Sequence, residues 1–169
     1  FPVRLTEAAR RASDARAFAA AAKSIRALFE PWSVALLGAS RRPNTIGGAL
    51  LKNLRANFLG PVYPINPNVT EVDGLPTYKT AVAVGAPIDL GVIAVPAKDV
   101  FEAVRDCAAA GARGVVVISA GFAEVSPEGR AEQDRLRRFV RGSGLRLVGP
   151  NCMGILNTDP QVGLNATFA

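Results

Sequence analysis

The sequence predicts an α/β fold, a Rossmann-like doubly wound parallel sheet of about five strands with an N-terminal helical extension. Three observations carry that expectation. Short apolar, β-branched runs recur at Val34–Leu37, Val62–Ile65, Leu90–Val95, Val115–Ile118 and Leu145–Val148, starting 28, 28, 25 and 30 residues apart. That interval holds one strand, one helix and two loops, the length of a βαβ unit. The runs are continuously apolar, as strands are when helices cover both faces of a sheet. Between them lie segments with helical periodicity. The expected strand order is 3-2-1-4-5.

Residues 1–30 stand apart as an extension, and residues 31–169 form the expected domain. The stretch from Thr6 to Phe29 is rich in Ala and Arg, holds no Gly and is bracketed by Pro2 and Pro31. It predicts one long helix or two shorter ones, with Thr6 as the N-cap. Leu5, Ala9, Ala12, Phe18, Ala22, Ile25, Leu28 and Phe29 form an approximate helical stripe. A connector helix, packed on the domain or on a neighbour, is the plain expectation; a partner-binding helix is the alternative. After the first strand, a helix following Gly47 turns Ile46, Leu50 and Leu54 inward. After the second, Val69–Tyr78 holds Pro and Gly and allows at most a short helix near Thr80–Val84. Val100, Ala103, Val104, Cys107 and Ala108 fall at i, i+3, i+4, i+7 and i+8, with Gly111 closing that helix. Cys107 is therefore expected on the buried face, as a structural residue. Ser126-Pro127-Glu128 combines an N-cap, a proline at the first helical position and a first-turn acid. The helix it opens is expected to run toward Arg141 and stop at Gly142. Residues 154–169 read as an extended tail with little core of its own.

Composition narrows the function. A chain of 169 residues is one domain on ordinary size statistics, and 49% hydrophobic with 20% charged residues excludes disorder. No apolar run approaches the ~20 residues a membrane span needs, so a cytoplasmic protein without membrane contact is expected. The two cysteines, Cys107 and Cys152, exclude a disulfide framework and a Cys-based zinc site. There is no histidine at all, which removes Ser–His and Cys–His nucleophilic chemistry, imidazole zinc ligation and a phosphohistidine. No catalytic and no metal-binding residue is predicted. Phe1 is not an initiator methionine, so the chain is expected to be cut from a longer parent. The net charge is +6, yet basic residues are not interleaved with aromatics as in a nucleic-acid stacking platform. Residues 31–70 hold Arg41, Arg42, Lys52 and Arg55 and no acid, which suits a local anionic ligand better.

Doubly wound sheets bind ligands beyond the carboxyl ends of their strands, so five loops matter. The first, Gly38-Ala39-Ser40-Arg41-Arg42-Pro43-Asn44-Thr45-Ile46-Gly47-Gly48, places backbone N–H groups at a helix N-terminus, a phosphate cradle. Its candidates are Gly38, Ala39, Ser40, Arg41, Arg42, Thr45 and Gly47. The second glycine of G-x-G-x-x-G is replaced by Ser40 and the G-K-[ST] ending of a P-loop is missing; a purely structural turn stays open. The second loop, Ile65-Asn66-Pro67-Asn68, lacks the carboxylate that dinucleotide folds aim at the ribose. That absence beside Arg41 and Arg42 suits a ribose carrying an extra phosphate, as in NADP or coenzyme A. Val95-Pro96-Ala97, Ser119-Ala120-Gly121-Phe122 and Gly149-Pro150-Asn151-Cys152 follow the remaining strands. They form either tight βα connections or, together, the wall of an elongated groove.

These stretches resemble a family. Ser33–Ser40, Gly60–Pro67, Ala94–Ala97, Val117–Phe122, Gly149–Cys152 and Leu164–Phe168 together resemble the coenzyme A-binding domain of the NDP-forming acyl-CoA synthetases, kin to the succinyl-CoA synthetase alpha subunit. The resemblance covers all but the first 30 residues. It implies that the first loop holds the CoA phosphates, that Asn66-Pro67 and Val95-Pro96 flank the nucleotide end, and that Ser119, Ala120, Gly121, Asn151 and Cys152 lie toward the pantetheine and thiol. Asn68 departs from the pattern, standing where relatives usually carry a lysine or similar cation. Cys152, with no base, is implied to be a groove wall. The family's phosphohistidine and ATP-grasp domains are implied as partners in the parent chain. The N-terminal helix resembles the junction to a GCN5-related acetyltransferase domain in longer relatives. The expectation is a CoA- or acyl-CoA-binding domain of an acyl-CoA ligase-type parent, inactive alone. The alternatives are a CoA-sensing regulatory module of an acetyltransferase fusion and an NADP-binding oxidoreductase domain. One or both of Arg41 and Arg42 are expected near the 3′-phosphate or the pyrophosphate.

Overall fold

The structure, a computed structural model, describes residues 6–169, the side chains of Ala21, Lys23 and Ser24 excepted. The chain runs α1 (Glu7–Phe29), β1 (Val34–Leu37), α2 (Ile46–Asn57), β2 (Val62–Ile65), a small hairpin of β3 (Glu71–Val72) and β4 (Leu75–Pro76), and a 3-10 turn at Val82–Val84. It continues through β5 (Leu90–Ile93), α3 (Ala97–Ala109), β6 (Gly114–Val117), α4 (Pro127–Ser143), β7 (Arg146–Val148) and a closing hairpin of β8 (Gly154–Asn157) and β9 (Leu164–Thr167).

Five strands form one parallel sheet in the order β2-β1-β5-β6-β7. Counted over the five predicted strands this is 2-1-3-4-5, which corrects the expected 3-2-1-4-5. The physical reason lies in β2. Pro64 has no N–H to give to a second neighbour, and proline inside a sheet is confined to edges. The carbonyl of Pro64 points to the outer side, where it accepts from Tyr78 N–H at 3.0 Å. The third long strand therefore adds on the far side of β1, where all four of its residues are buried.

Side chains alternate across the sheet and build two cores. Ala35 and Leu37 of β1 join Val100, Val104, Cys107, Leu136 and Val140 beneath α3 and α4. Val34 and Leu36 face the other way, toward Leu50, Leu51 and Leu54 of α2. The caps expected from sequence are present. Thr6 Oγ1 accepts from Ala9 N–H at 3.3 Å, and Ser126 Oγ accepts from Gly129 N–H at 3.1 Å, with Pro127 opening α4. Cys107 is fully buried.

One segment departs from expectation, and another is packed only at one end. Residues 154–169 are a β-hairpin rather than a tail without a core: Leu164 and Ala166 are fully buried against the face that α2 also covers. The stripe on α1 is largely bare. Among its described side chains only the last turn is buried, through Ala27 and Leu28, while Phe18 is 77% and Ile25 48% exposed. Pro2 and Leu5, at the start of that reading, lie outside the described residues. No helix among the described residues is long and apolar enough to cross a membrane.

Candidate functional site

The order 2-1-3-4-5 moves the point where strand direction of addition reverses to the gap between β1 and β5. Such a switch point opens a crevice, because the loops leaving the two strands diverge to opposite faces. A cleft of about 660 Å³ lies there, lined by Leu37, Gly38, Ile65, Asn66, Pro67, Asn68, Lys79, Thr80, Ala94, Val95 and Pro96 and by Asp99, Glu102, Ala103 and Asp106 of α3.

Five predicted residues line this cleft: Gly38, Asn66, Pro67, Val95 and Pro96. Ala39, Ser40, Arg41, Arg42, Thr45, Gly47, Ser119, Ala120, Gly121, Asn151 and Cys152 lie outside its lining, on the same carboxyl edge. The edge is stitched together by hydrogen bonds between neighbouring loops. Asn66 Nδ2 donates to the Ala39 carbonyl at 2.8 Å, and Asn66 Oδ1 accepts from Asn68 N–H at 2.9 Å. Ser119 Oγ donates to the Val95 carbonyl at 2.6 Å, and Asn151 N–H to the Ser119 carbonyl at 2.9 Å. Cys152 Sγ donates to the Val117 carbonyl at 3.3 Å.

The glycine-rich first loop is built for close packing. Gly38 has φ +93°, and a Cβ on it would sit 2.3 Å from the Ala94 carbonyl oxygen. A Cβ on Gly47 would sit 1.9 Å from the Gly38 carbonyl oxygen, so α2 can start this near the strand only with glycine there. Ser40 Oγ accepts from Arg42 N–H at 3.1 Å, and Thr45 caps α2 by accepting from Gly48 N–H at 3.2 Å. Arg41 and Arg42 stand exposed on this loop, and neither forms an ion pair among the described residues.

Sequence reasoning missed Lys79, Thr80 and the acids of α3. Lys79 and Thr80 reach the cleft because Tyr78 pairs with the outer edge of β2 at Ile65. Pro64 was the available signal, since an edge strand invites such cover. Asp99, Glu102 and Asp106 are spaced i, i+3 and i+7, one face of a helix. Two of these acids are already engaged. Glu102 binds Arg105 at 2.8 Å, and Asp106 accepts from the N–H groups of Ala81 at 2.5 Å and Val82 at 3.3 Å.

The two thiols and the Glu124 carboxyl are chemically quiet. Burial pushes the Cys152 thiol up from its ordinary range, which keeps it protonated and a poor nucleophile. Cys107 is pushed up to about 12 by burial, with the charge of Asp106 adding to it. Glu124 Oε1 accepts from Gly121 N–H at 2.7 Å and Phe122 N–H at 3.1 Å, and these backbone donors, Gly121 foremost, hold its carboxyl below the usual range. Among the described residues no three His, Cys, Asp or Glu side chains gather as a metal site would require.

Residues 32–158 match the CoA binding domain family. The chain is 41% identical over 140 residues to acetate–CoA ligase [ADP-forming] II subunit alpha of Pyrococcus furiosus, covering 83% of this chain and 30% of that protein. It is 43% identical over 142 residues to acetate–CoA ligase [ADP-forming] I of Archaeoglobus fulgidus, covering 84% of this chain and 20% of that one. The chain thus spans about a fifth to a third of the length of such relatives. Among solved structures, PH0766 from Pyrococcus horikoshii OT3 superposes with a TM-score of 0.81 at 40% identity, covering 85% of this chain and 33% of that one. Acetyl-coenzyme A synthetase 1 of Ca. Korarchaeum cryptofilum, in complex with phosphate and ADP, superposes with a TM-score of 0.78 at 38% identity over 85% of this chain and 30% of that one. Fold, loop motifs and sequence agree: the chain belongs to the CoA binding domain family.

Proposed function

We propose that residues 31–169 hold coenzyme A or an acyl-CoA for an ADP-forming acyl-CoA ligase, residues 1–30 being an extension, with phosphohistidine and ATP-grasp domains as partners in the parent. The nucleotide half of the ligand occupies the cleft between Gly38, Asn66-Pro67 and Val95-Pro96. The pantetheine arm runs along the carboxyl edge past Ser119, Ala120 and Gly121 toward Asn151 and Cys152. The carrying observation is the cleft itself. It opens at the switch point, and no carboxylate stands at the end of β2 to claim an unphosphorylated ribose. Its volume of about 660 Å³ falls within the 300–1,000 Å³ of small-molecule sites, enough for one end of an extended ligand. Bound CoA supplies the thiol that carries the acyl group. The chain's own residues bind and orient it, and Cys152, protonated and bonded to Val117, is a wall of the groove.

Arg41 and Arg42, with Ala39, Ser40, Thr45 and Gly47 around them, take the pyrophosphate. Exposed charges gain little singly in water, so the pair is tested together. Titration calorimetry of the chain should show binding of CoA and dephospho-CoA and weaker binding of NADP. Replacing Arg41→Ala and Arg42→Ala together should weaken both CoA species by about ten-fold. Equal affinity for NADP and CoA overturns the ligand assignment, and an unchanged double variant overturns the role of the arginines. Neither protein should form acetyl-CoA from ATP, acetate and CoA.

A further inference from the structure

One cation lines the cleft among the described residues, Lys79. Its placement is a consequence of the β2 edge. Tyr78 N–H donates to the Pro64 carbonyl at 3.0 Å and its own carbonyl accepts from Asn66 N–H at 2.9 Å, which sets Lys79 beside the Asn66–Asn68 loop. Asn68, at that loop, has no charge to offer. Arg41 and Arg42 are not part of the lining. Across the cleft stands the acidic face of α3. Glu102 is paired with Arg105 and Asp106 with the Ala81 and Val82 amides, leaving Asp99 in the first turn of α3. Lys79 forms no ion pair with any of them among the described residues.

We propose that Lys79 is the residue that selects CoA over its dephospho form, by binding the 3′-phosphate on the β2 side of the cleft. This rests on the CoA reading above. A phosphate monoester dianion is repelled by the α3 acids and drawn to an ammonium acting as a point charge. Lys79 therefore decides whether the extra phosphate helps or hinders binding. With Lys79 gone, the acidic wall remains and the 3′-phosphate becomes neutral or unfavourable.

The test is calorimetric titration of the chain and of its Lys79→Ala and Lys79→Arg variants with CoA and dephospho-CoA, at low and high salt. The unchanged chain should prefer CoA by about ten-fold, and salt should shrink that preference. Lys79→Ala should abolish or invert the preference while leaving dephospho-CoA affinity within about two-fold, and Lys79→Arg should keep most of it. If Lys79→Ala still prefers CoA as the parent does, or if the parent shows no preference, the assignment of Lys79 is wrong and the CoA reading stands. If the parent binds neither ligand, the CoA reading itself is wrong.

Discussion

Glu124 shows how single residues hold this carboxyl edge in shape. Its carboxylate receives the Gly121 and Phe122 amides, so the loop after β6 carries its own anion. A carboxyl held below its ordinary value of 4.5 stabilises the fold above the unfolded value, and that contribution is lost as pH falls through the folded one. Glu124→Gln keeps the shape and removes the charge. Urea melts should find the variant less stable than the parent at pH 7, with the gap closing as pH falls through the carboxylate range. An unchanged gap across that range removes the charge from the argument. The same scale explains a limit on reading sites from sequence. Ser40, Asn66 and Ser119 look like ligand contacts, being polar residues on the right loops. Their side-chain hydrogen bonds go to backbone groups, Ser40 to Arg42, Asn66 to Ala39 and Ser119 to Val95. A polar side chain near a sheet edge satisfies loop backbone as readily as a ligand, and its choice of partner is set by geometry, not by residue type.

At the scale of elements, α1 divides into a packed end and a bare length. Leu28 is 5% exposed among Val34, Leu90 and Val116, whereas Phe18 is 77% exposed. Leu28→Ala should cost about 2–5 kcal/mol, the usual range for a buried leucine. Phe18→Ser should stay within about 0.5 kcal/mol, as surface changes do. Urea denaturation of the two variants checks this, and a Phe18→Ser loss as large as that of Leu28→Ala would place Phe18 in the core. Periodicity marks which residues of this helix share a face but not how far that face is covered: Leu28 meets the sheet, while Phe18 and Ile25 on the same stripe do not. The closing hairpin is the converse case. Leu164-Asn165-Ala166-Thr167 is too short and too mixed to read as a strand, yet its alternation puts Leu164 and Ala166 inward once β8 provides a partner.

For the molecule as a whole, the two thiols report on different layers. Cys107 lies fully buried between α3 and the sheet with its pKa pushed up to about 12, while Cys152 is half-buried on the carboxyl edge. A thiol reagent at neutral pH should modify Cys152 slowly and Cys107 more slowly still. Labelling of Cys107 should accelerate with urea in step with global unfolding, because only the open state exposes it. Labelling of Cys107 at the rate of Cys152 in native buffer would contradict the packing of α3. What the sequence by itself determined is local: where the five sheet strands lie, how Thr6 and Ser126 start helices, which face buries Cys107, and which motifs sit after each of those strands. Each is written within about ten neighbouring residues, as propensity, periodicity or a cap. Only the tertiary structure decided the order 2-1-3-4-5, and with it the switch point and the cleft. Pro64 marks β2 as an edge strand, but which strand each of the others joins depends on contacts between distant segments, Leu90 beside Val34 and Tyr78 beside Ile65. Lys79 and the acids of α3 face one cleft for that reason alone: the sheet brings together residues that the chain keeps apart.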